Sequence, residues 1–452
     1  MKRILFIKNL FKTLPPAPAI VMAFFLAILT GTLLLSMPFA TKAPGGIGAA
    51  NALFTATSAV CVTGLVVADT ASTWTAFGQT VILILIQIGG LGIMTAASMF
   101  SLILGRRIGL KERLNIQESL NEFNLQGVVK MFKYILIATF SIEAVGTVLL
   151  AIRFIPDFGF WSGLARSVFH SISAFCNAGF DIMGTTAAPY VSLTGYNGSA
   201  LVMFTISIMF IIGGMGFVVW KDLASIKKFR DFMLHTKIVL IMTGILLVSG
   251  TILLFIFEYG NTLEGMGFIQ KIGNSFFHAA TPRTAGFNTL PVEGMRPQSQ
   301  LLTMILMFIG AAPGSTAGGI KVTTFVIVFF SILTYMKGGE DVNLLKRRIN
   351  PAIVRKALAI FFVSITLVFT TTFVLLFSNA GTFIECIFEA VSAFGTVGLS
   401  TGITPALPLA GKIAITITMF VGRVGPLALA VTLTTHVQKK PYSYPEGKIA
   451  VG

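Results

Sequence analysis

Charge is scarce in this chain. Only 11% of its 452 residues are Asp, Glu, Lys or Arg, against about 25% in soluble proteins. Just 17 are acidic, and no stretch is polar enough to form a separate soluble domain. Four scattered histidines, three cysteines and the lack of a His-Glu-x-x-His pattern leave a metal or nucleophile enzyme without its parts. Cys61, Cys176 and Cys386 have neither paired nor metal-ligand spacing and read as small apolar packing residues. Walker A and dinucleotide-binding glycine motifs are also missing.

Apolar residues fill the space that charge leaves. They make up 55% of the chain, the mean hydropathy is +0.86, and apolar runs of around 20 residues recur along its length. This is the pattern of a polytopic, all-α membrane protein. The net charge of +16 is concentrated in five segments, 1–14, 105–130, 221–235, 336–355 and 436–452. The positive-inside rule places all five, and with them both termini, in the cytoplasm. The basic charge therefore records topology in a lipid bilayer, and no nucleic-acid partner is expected. The apolar run from Ala19 to Pro38 is long for a signal peptide and follows Pro15, Pro16 and Pro18. It is expected to be a retained membrane helix.

Within this apolar background four glycines recur: Gly64, Gly179, Gly286 and Gly398, at spacings of 115, 107 and 112 residues. Each follows a phenylalanine by ten residues (Phe54, Phe169, Phe276, Phe388) and precedes Leu or Phe. Each lies between two apolar runs, which divides the chain into four repeats, 15–104, 131–220, 236–335 and 356–435. Every repeat reads as helix, re-entrant pore loop, helix, giving eight transmembrane helices and four pore helices around one central pore. The pore segments near 51–63, 163–178, 272–285 and 384–397 are too short to cross ~30 Å of hydrocarbon, so they are expected to enter and return. Irregular backbone at that depth must be buried in protein or line a watery path. Second helices are expected near 77–104, 198–220, 300–334 and 411–434. They carry the matching motifs IGGLG (88–92), IGGMG (212–216), IGAAPG (309–314) and VGRVG (421–425), whose glycines are read mainly as allowing close packing.

A dehydrated cation needs oxygens in place of its water, and backbone carbonyls supply them without net charge. The candidate filter residues are Val62, Thr63 and Gly64; Asn177, Ala178 and Gly179; Thr284, Ala285 and Gly286; and Thr396, Val397 and Gly398. Each pore helix would turn its partly negative C-terminal end toward the centre, which favours a cation. The apolar stretch from Gln300 to Tyr335 is too long for one crossing, and its middle is rich in helix breakers. Gly310, Ala311, Ala312, Pro313, Gly314, Ser315, Thr316, Ala317, Gly318 and Gly319 are therefore expected to form a gate loop beneath the filter. Repeat three is read as the outlier in this respect, with Lys321 close behind the loop. Arg423 lies in the middle of the last helix, where an unpaired arginine costs at least about 2.5–3.5 kcal/mol. It is read as a positive barrier facing the pore, with an ion pair to Glu143 or Glu258 as the alternative. Arg283 and Glu389 are read as braces of the filter, and His170 and His278 as packing or hydrogen-bonding groups of the pore helices.

In the four filters, in GAAPGSTAGGIK (310–321) and in Arg423 of GRVGP (422–426), the chain resembles the Trk/Ktr/HKT superfamily of potassium transporters, and most of all its bacterial Ktr membrane subunits. The resemblance covers essentially the whole chain. It implies potassium uptake across the bacterial plasma membrane by gated, channel-like conduction, with K+ held by the filter carbonyls. It also implies a homodimer with one pore per subunit, stimulation by Na+, and a cytosolic nucleotide-binding regulator ring of the KtrA type. No resident cofactor is expected. Sodium-preferring plant members carry serine at the first filter glycine, so Gly64 favours potassium. Only the fourth filter, Thr396-Val397-Gly398-Leu399-Ser400, approaches the TVGYG of potassium channels, which implies looser selectivity. An alternating-access symporter is the other transport mechanism considered. Two crossings per repeat, and the lack of paired carboxylates at mid-membrane, argue against it.

Overall fold

The computed structural model describes residues 16–92, 114, 128–225, 228–425 and 445. Most of the basic segments 1–14, 105–130 and 436–452 lies outside the described residues. In chain order the first repeat contains α1 (Pro16–Leu35), α2 (Ala49–Val60) and α3 (Ala76–Leu91). The second contains α4 (Val128–Phe158), α5 (Phe160–Phe175), α6 (Ala200–Gly214) and α7 (Phe217–Ser225). The third contains α8 (Leu234–Glu258), α9 (Phe268–Ala280), α10 (Pro297–Phe308) and α11 (Val322–Met336). The fourth contains α12 (Pro351–Phe377), α13 (Phe383–Gly395) and α14 (Leu409–Val424). A two-stranded hairpin, β1 (Asn343–Leu344) and β2 (Arg347–Arg348), joins α11 to α12.

The first helix of each repeat, α1, α4, α8 and α12, is long and apolar enough to cross a membrane. Only 28% of the most apolar stretch of each is buried in the protein. The exposed remainder includes Leu33, Ile137, Val148, Ile252 and Phe373. An apolar surface of this extent is stable only against lipid. The pore helices α2, α5, α9 and α13 have 12, 16, 13 and 13 residues, or about 18–24 Å at 1.5 Å per residue. They sit at the centre, where Phe54, Phe175, Phe277 and Phe388 are fully buried.

The second helices differ from expectation. Repeat two was expected to continue unbroken over 198–220, but α6 and α7 meet at a bend of 95°. In repeat one α3 stops at Gly92, in repeat four α14 stops at Gly425, and in repeat three thirteen residues separate α10 from α11. The residues expected to continue the first and fourth second helices, 93–104 and 426–434, lie outside the described residues. Repeat three is thus not alone in breaking. In repeats one, two and four the reason is local: the last glycine of the motif, Gly92, Gly216 or Gly425, has φ between 85° and 94°, a conformation open to glycine and costly for other residues. In repeat three α10 already ends at Phe308, ahead of Gly310 and Pro313.

Packing between repeats closes a circle. The second helix of each repeat lies against the pore helix of the next: α3 on α5, α6 on α9, α10 on α13, and α14 back on α2. Within repeats one, two and four, the first glycines of the motifs allow an equally close fit of second helix to pore helix. A Cβ at Gly89, Gly213 or Gly422 would come within 2.0, 2.1 and 2.1 Å of the carbonyl oxygens of Val60, Phe175 and Phe394. These are residues at the C-terminal ends of the pore helices of their own repeats. The glycines therefore pack as the sequence suggests, and Gly92, Gly216 and Gly425 at the ends of three motifs also sit at helix ends.

Candidate ion filter and the loop beneath it

Each pore helix ends in a short loop that reverses the chain. Two residues before the repeat glycine the backbone has positive φ without being glycine: Val62 (56°), Asn177 (60°), Thr284 (73°) and Thr396 (50°). The glycine itself is again positive, at 89°, 67°, 81° and 96° for Gly64, Gly179, Gly286 and Gly398. Thr63, Ala178, Ala285 and Val397 between them are not. Alternating handedness of this kind turns successive carbonyls toward one side of the chain, where an ordinary strand alternates them.

The four loops meet as a ring, in sequence order. A Cβ placed on Gly64 would lie 2.4 Å from the Ala178 carbonyl oxygen, and one on Gly179 would lie 2.9 Å from that of Ala285. One on Gly286 would lie 2.2 Å from the Val397 oxygen, and one on Gly398 would lie 2.3 Å from that of Thr63. The fourth loop thus abuts the first, and a single chain closes the ring.

Hydrogen bonding leaves the carbonyls of this ring free. The amides point back into the pore helices: Thr63 N–H donates to Ser58 O, Ala178 N–H to Ser173 O, Ala285 N–H to Thr281 O and Val397 N–H to Ser392 O, at 2.8–2.9 Å. Among the described residues nothing donates to the carbonyls of Val62, Thr63, Asn177, Ala178, Thr284, Ala285, Thr396 or Val397. All eight residues are at most 1% exposed. Buried carbonyls without a donor are rare and call for a partner. A ring of them, with four helix C-termini behind it, suits a dehydrated monovalent cation.

A hydroxyl brace behind each loop escaped the reading of the sequence. Ser58 Oγ accepts from Gly64 N–H and Ser392 Oγ from Gly398 N–H, each at 3.1 Å. Ser173 Oγ donates to Phe180 O and Thr281 Oγ1 to Phe287 O. The signal was present, because a hydroxyl stands six residues before the glycine in repeats one, two and four and five before it in repeat three. Glu389 acts alongside, accepting from Ser400 Oγ and, at 2.7 Å, from Thr404 Oγ1 beyond the fourth filter. Arg283 instead donates to Thr243 Oγ1 on α8, at 3.0 Å. His278 Nε2 accepts from the Leu290 amide at 3.0 Å, and His170 packs among Phe154, Phe169 and Phe287.

Residues 310–319 form a loop held between the parallel bridge partners Ile309 and Ile320. Its contacts reach repeats two and four. Ala312 N–H donates to Gly214 O at 3.0 Å, Gly319 N–H to Gly422 O at 3.3 Å, and Phe217 N–H to Gly314 O at 2.8 Å. Thr316 Oγ1 donates to Asn177 Oδ1 at 2.8 Å, and Asn177 Nδ2 to Thr284 Oγ1 at 3.3 Å. The loop is thereby bonded directly to the second filter strand and, through Asn177, to the third. A Cβ on Gly318 would strike Thr396 Oγ1 at 2.1 Å, which places the loop against the fourth filter as well. Lys321 turns back on the loop and donates to Ala317 O and Gly318 O, at 2.7 and 3.1 Å.

Neither Glu143 nor Glu258 pairs with Arg423. Glu143 accepts from Gln87, and Glu258 from Asn261, Thr262 and the Arg296 amide. Arg423 donates to Thr316 O in the loop and to Gly89 O on α3. It clamps the loop between repeats four and one. This bonding satisfies the guanidinium with backbone carbonyls, a partner that residue spacing alone does not indicate.

The family model for TrkH, described as a cation transport protein, matches residues 18–443. The chain belongs to this family. Among TrkH-family relatives, the Ktr system potassium uptake protein B of Bacillus subtilis is 43% identical over 441 residues, covering 97% of each chain. The potassium/sodium uptake protein NtpJ of Enterococcus hirae is 40% identical, covering 98% of this chain and 99% of its own. The fold matches the crystal structure of the potassium transporter TrkH from Vibrio parahaemolyticus with a TM-score of 0.69 at 17% identity, over 91% of this chain and 84% of that one. Membership places the chain among membrane transporters. The four-repeat pore architecture expected from the sequence is the TrkH-family fold.

Proposed function

We propose that this chain is the translocating subunit of a potassium uptake system and conducts K+ through the ring formed by Gly64, Gly179, Gly286 and Gly398. The observation that carries the reading is the set of eight buried carbonyls with no donor, arranged around a closed ring. Relatives named for potassium uptake over nearly the full chain support the choice of ion. The loop at residues 310–319 is the gate, and Arg423 is its clamp more than a free charge in the path. In this reading two chains form a homodimer in the bacterial plasma membrane, with both termini in the cytoplasm. A cytosolic nucleotide-binding ring governs the loop, and Na+ stimulates uptake. NtpJ's description as a potassium/sodium uptake protein favours a role for both ions.

Growth of a transport-deficient bacterium at low external potassium tests this directly. Expression of the chain together with a regulator ring should restore growth, and the chain carrying Gly398→Arg should not. Equal growth with the two versions would remove the ring from the transport path.

A further inference from the structure

Away from the ring, a cavity of about 370 Å³ opens between repeats one and two on the filter side of the protein. That size falls in the ~300–1,000 Å³ range of small-ligand sites. Lys42, Ser72 and Gln79 line it from the first repeat, and Ser162, Arg166 and Thr185 from the second. None of the filter residues borders it.

The charge balance is unusual. Lys42 and Arg166 are both cationic, and neither forms an ion pair among the described residues. The nearby carboxylates are already engaged, Asp181 by the Met183 amide at 3.0 Å. Asp69 accepts from the Ser72 amide and hydroxyl, both at 2.7 Å, and from the Tyr190 amide at 2.9 Å. Asp157 pairs with Arg153 at 3.2 Å and accepts from Tyr196 at 2.9 Å. Lys42 spends one proton on Ala71 O, at 2.7 Å. Arg166 donates to Ser162 Oγ and lies 4.2 Å from the ring centre of Phe158, while its Nε is buried with no partner. An arginine fixed by stacking, with a donor left over beside a lysine and several hydroxyls, suits a tetrahedral oxyanion. The positive end of α5 starts close by, at Gly159, with no side-chain cap.

Aromatic side chains set the depth. Phe160 and Trp161 are 57% and 80% exposed beside the cavity, and Phe39 and Phe77 form an exposed ring pair on the first repeat. Exposed aromatics of this kind mark the level of lipid headgroups. A cationic site there is also of no use to a cation pathway, which separates it from transport itself.

We propose that this cavity is a phosphate site, filled by the headgroup of an anionic phospholipid in the leaflet on the filter side. Native mass spectrometry of the full-length protein, supplied with phosphatidylglycerol or with the phosphate-free diglucosyldiacylglycerol, tests it. The wild-type protein should retain phosphatidylglycerol and not the glycolipid. The double variant Lys42→Gln, Arg166→Gln should bind phosphatidylglycerol about tenfold more weakly, and Arg166→Lys should fall between. Displacement of the lipid by millimolar inorganic phosphate also supports the site, with soluble phosphate as a second occupant. Equal retention of the two lipids by the wild-type protein overturns the proposal without relying on any variant. Equal retention of phosphatidylglycerol by wild type and double variant overturns it as well.

Discussion

Gly64 shows how tightly single residues are determined in the ring. Its φ of 89° alone makes another residue costly by about 1–2 kcal/mol. The 2.4 Å approach of its missing Cβ to the Ala178 oxygen involves backbone, which cannot easily move aside. Gly64→Ser is therefore expected to disturb the spacing of the first two filter strands and to lower the preference for K+ over Na+. Flux ratios in proteoliposomes measure this, and an unchanged ratio would exclude Gly64 from the filter. Outside the ring, Asp181 follows the second filter by two residues. Desolvation, with the Asp69 carboxylate nearby, pushes its carboxyl up to about 6. It is charged above that value and neutral below. Lowering the outer pH from 7 to 5 should therefore weaken cation attraction to the mouth and slow uptake, and Asp181→Asn should flatten the profile. A variant with the wild-type pH dependence would exclude this carboxyl as the cause.

Among elements, the loop at 310–319 has the most distinct physical character. It contains four glycines and a proline, lies across the inner side of the ring, and is held by a few hydrogen bonds to repeats two and four. One of these comes from Arg423, to Thr316 O, and a bond from a charged donor is worth about 1.5–3 kcal/mol. If it forms only when the path is closed, Arg423→Gln should raise the open fraction roughly ten- to a hundredfold. Deletion of residues 311–317 should go further and allow flux without a regulator. Potassium efflux from liposomes carrying the chain alone reads both effects. Flux that stays at the wild-type resting level in both variants would mean that the gate lies elsewhere. The pore helices are steadier, because each is anchored to its filter strand by a hydroxyl. Ser58, Ser173 and Ser392 were visible in the sequence as residues at a fixed offset. Their pairing with filter amides or carbonyls became apparent only once the loops were folded back.

In the whole molecule, closure of the circle within one chain is the central fact. Since α14 packs on α2 and Gly398 abuts the first filter, a pore needs no residue from a second copy. In the proposed homodimer, each subunit should then conduct independently. Dimers purified with one wild-type and one Gly398→Arg subunit should show about half the wild-type flux per dimer. Loss of nearly all flux would instead indicate a shared path or tight coupling between pores.

Repetition, hydropathy and the four glycines were legible from the amino acids alone, because burial in lipid and left-handed backbone both restrict composition strongly. Apolar length singles out the membrane-crossing helices, and only glycine readily occupies the ring positions. Arg423 illustrates the limit. Its type and depth showed that it needs partners, yet its carbonyl partners Thr316 and Gly89 are 107 and 334 residues away in sequence. A carbonyl is common to every residue, so composition carries no trace of which one accepts. The same holds for the bend between α6 and α7 and for the meeting of the fourth filter with the first. Local chemistry determined the parts and the order of the repeats. The path of the backbone through space decided which of its many identical oxygens would join the ring of four loops, accept from Arg423 or bond within helices.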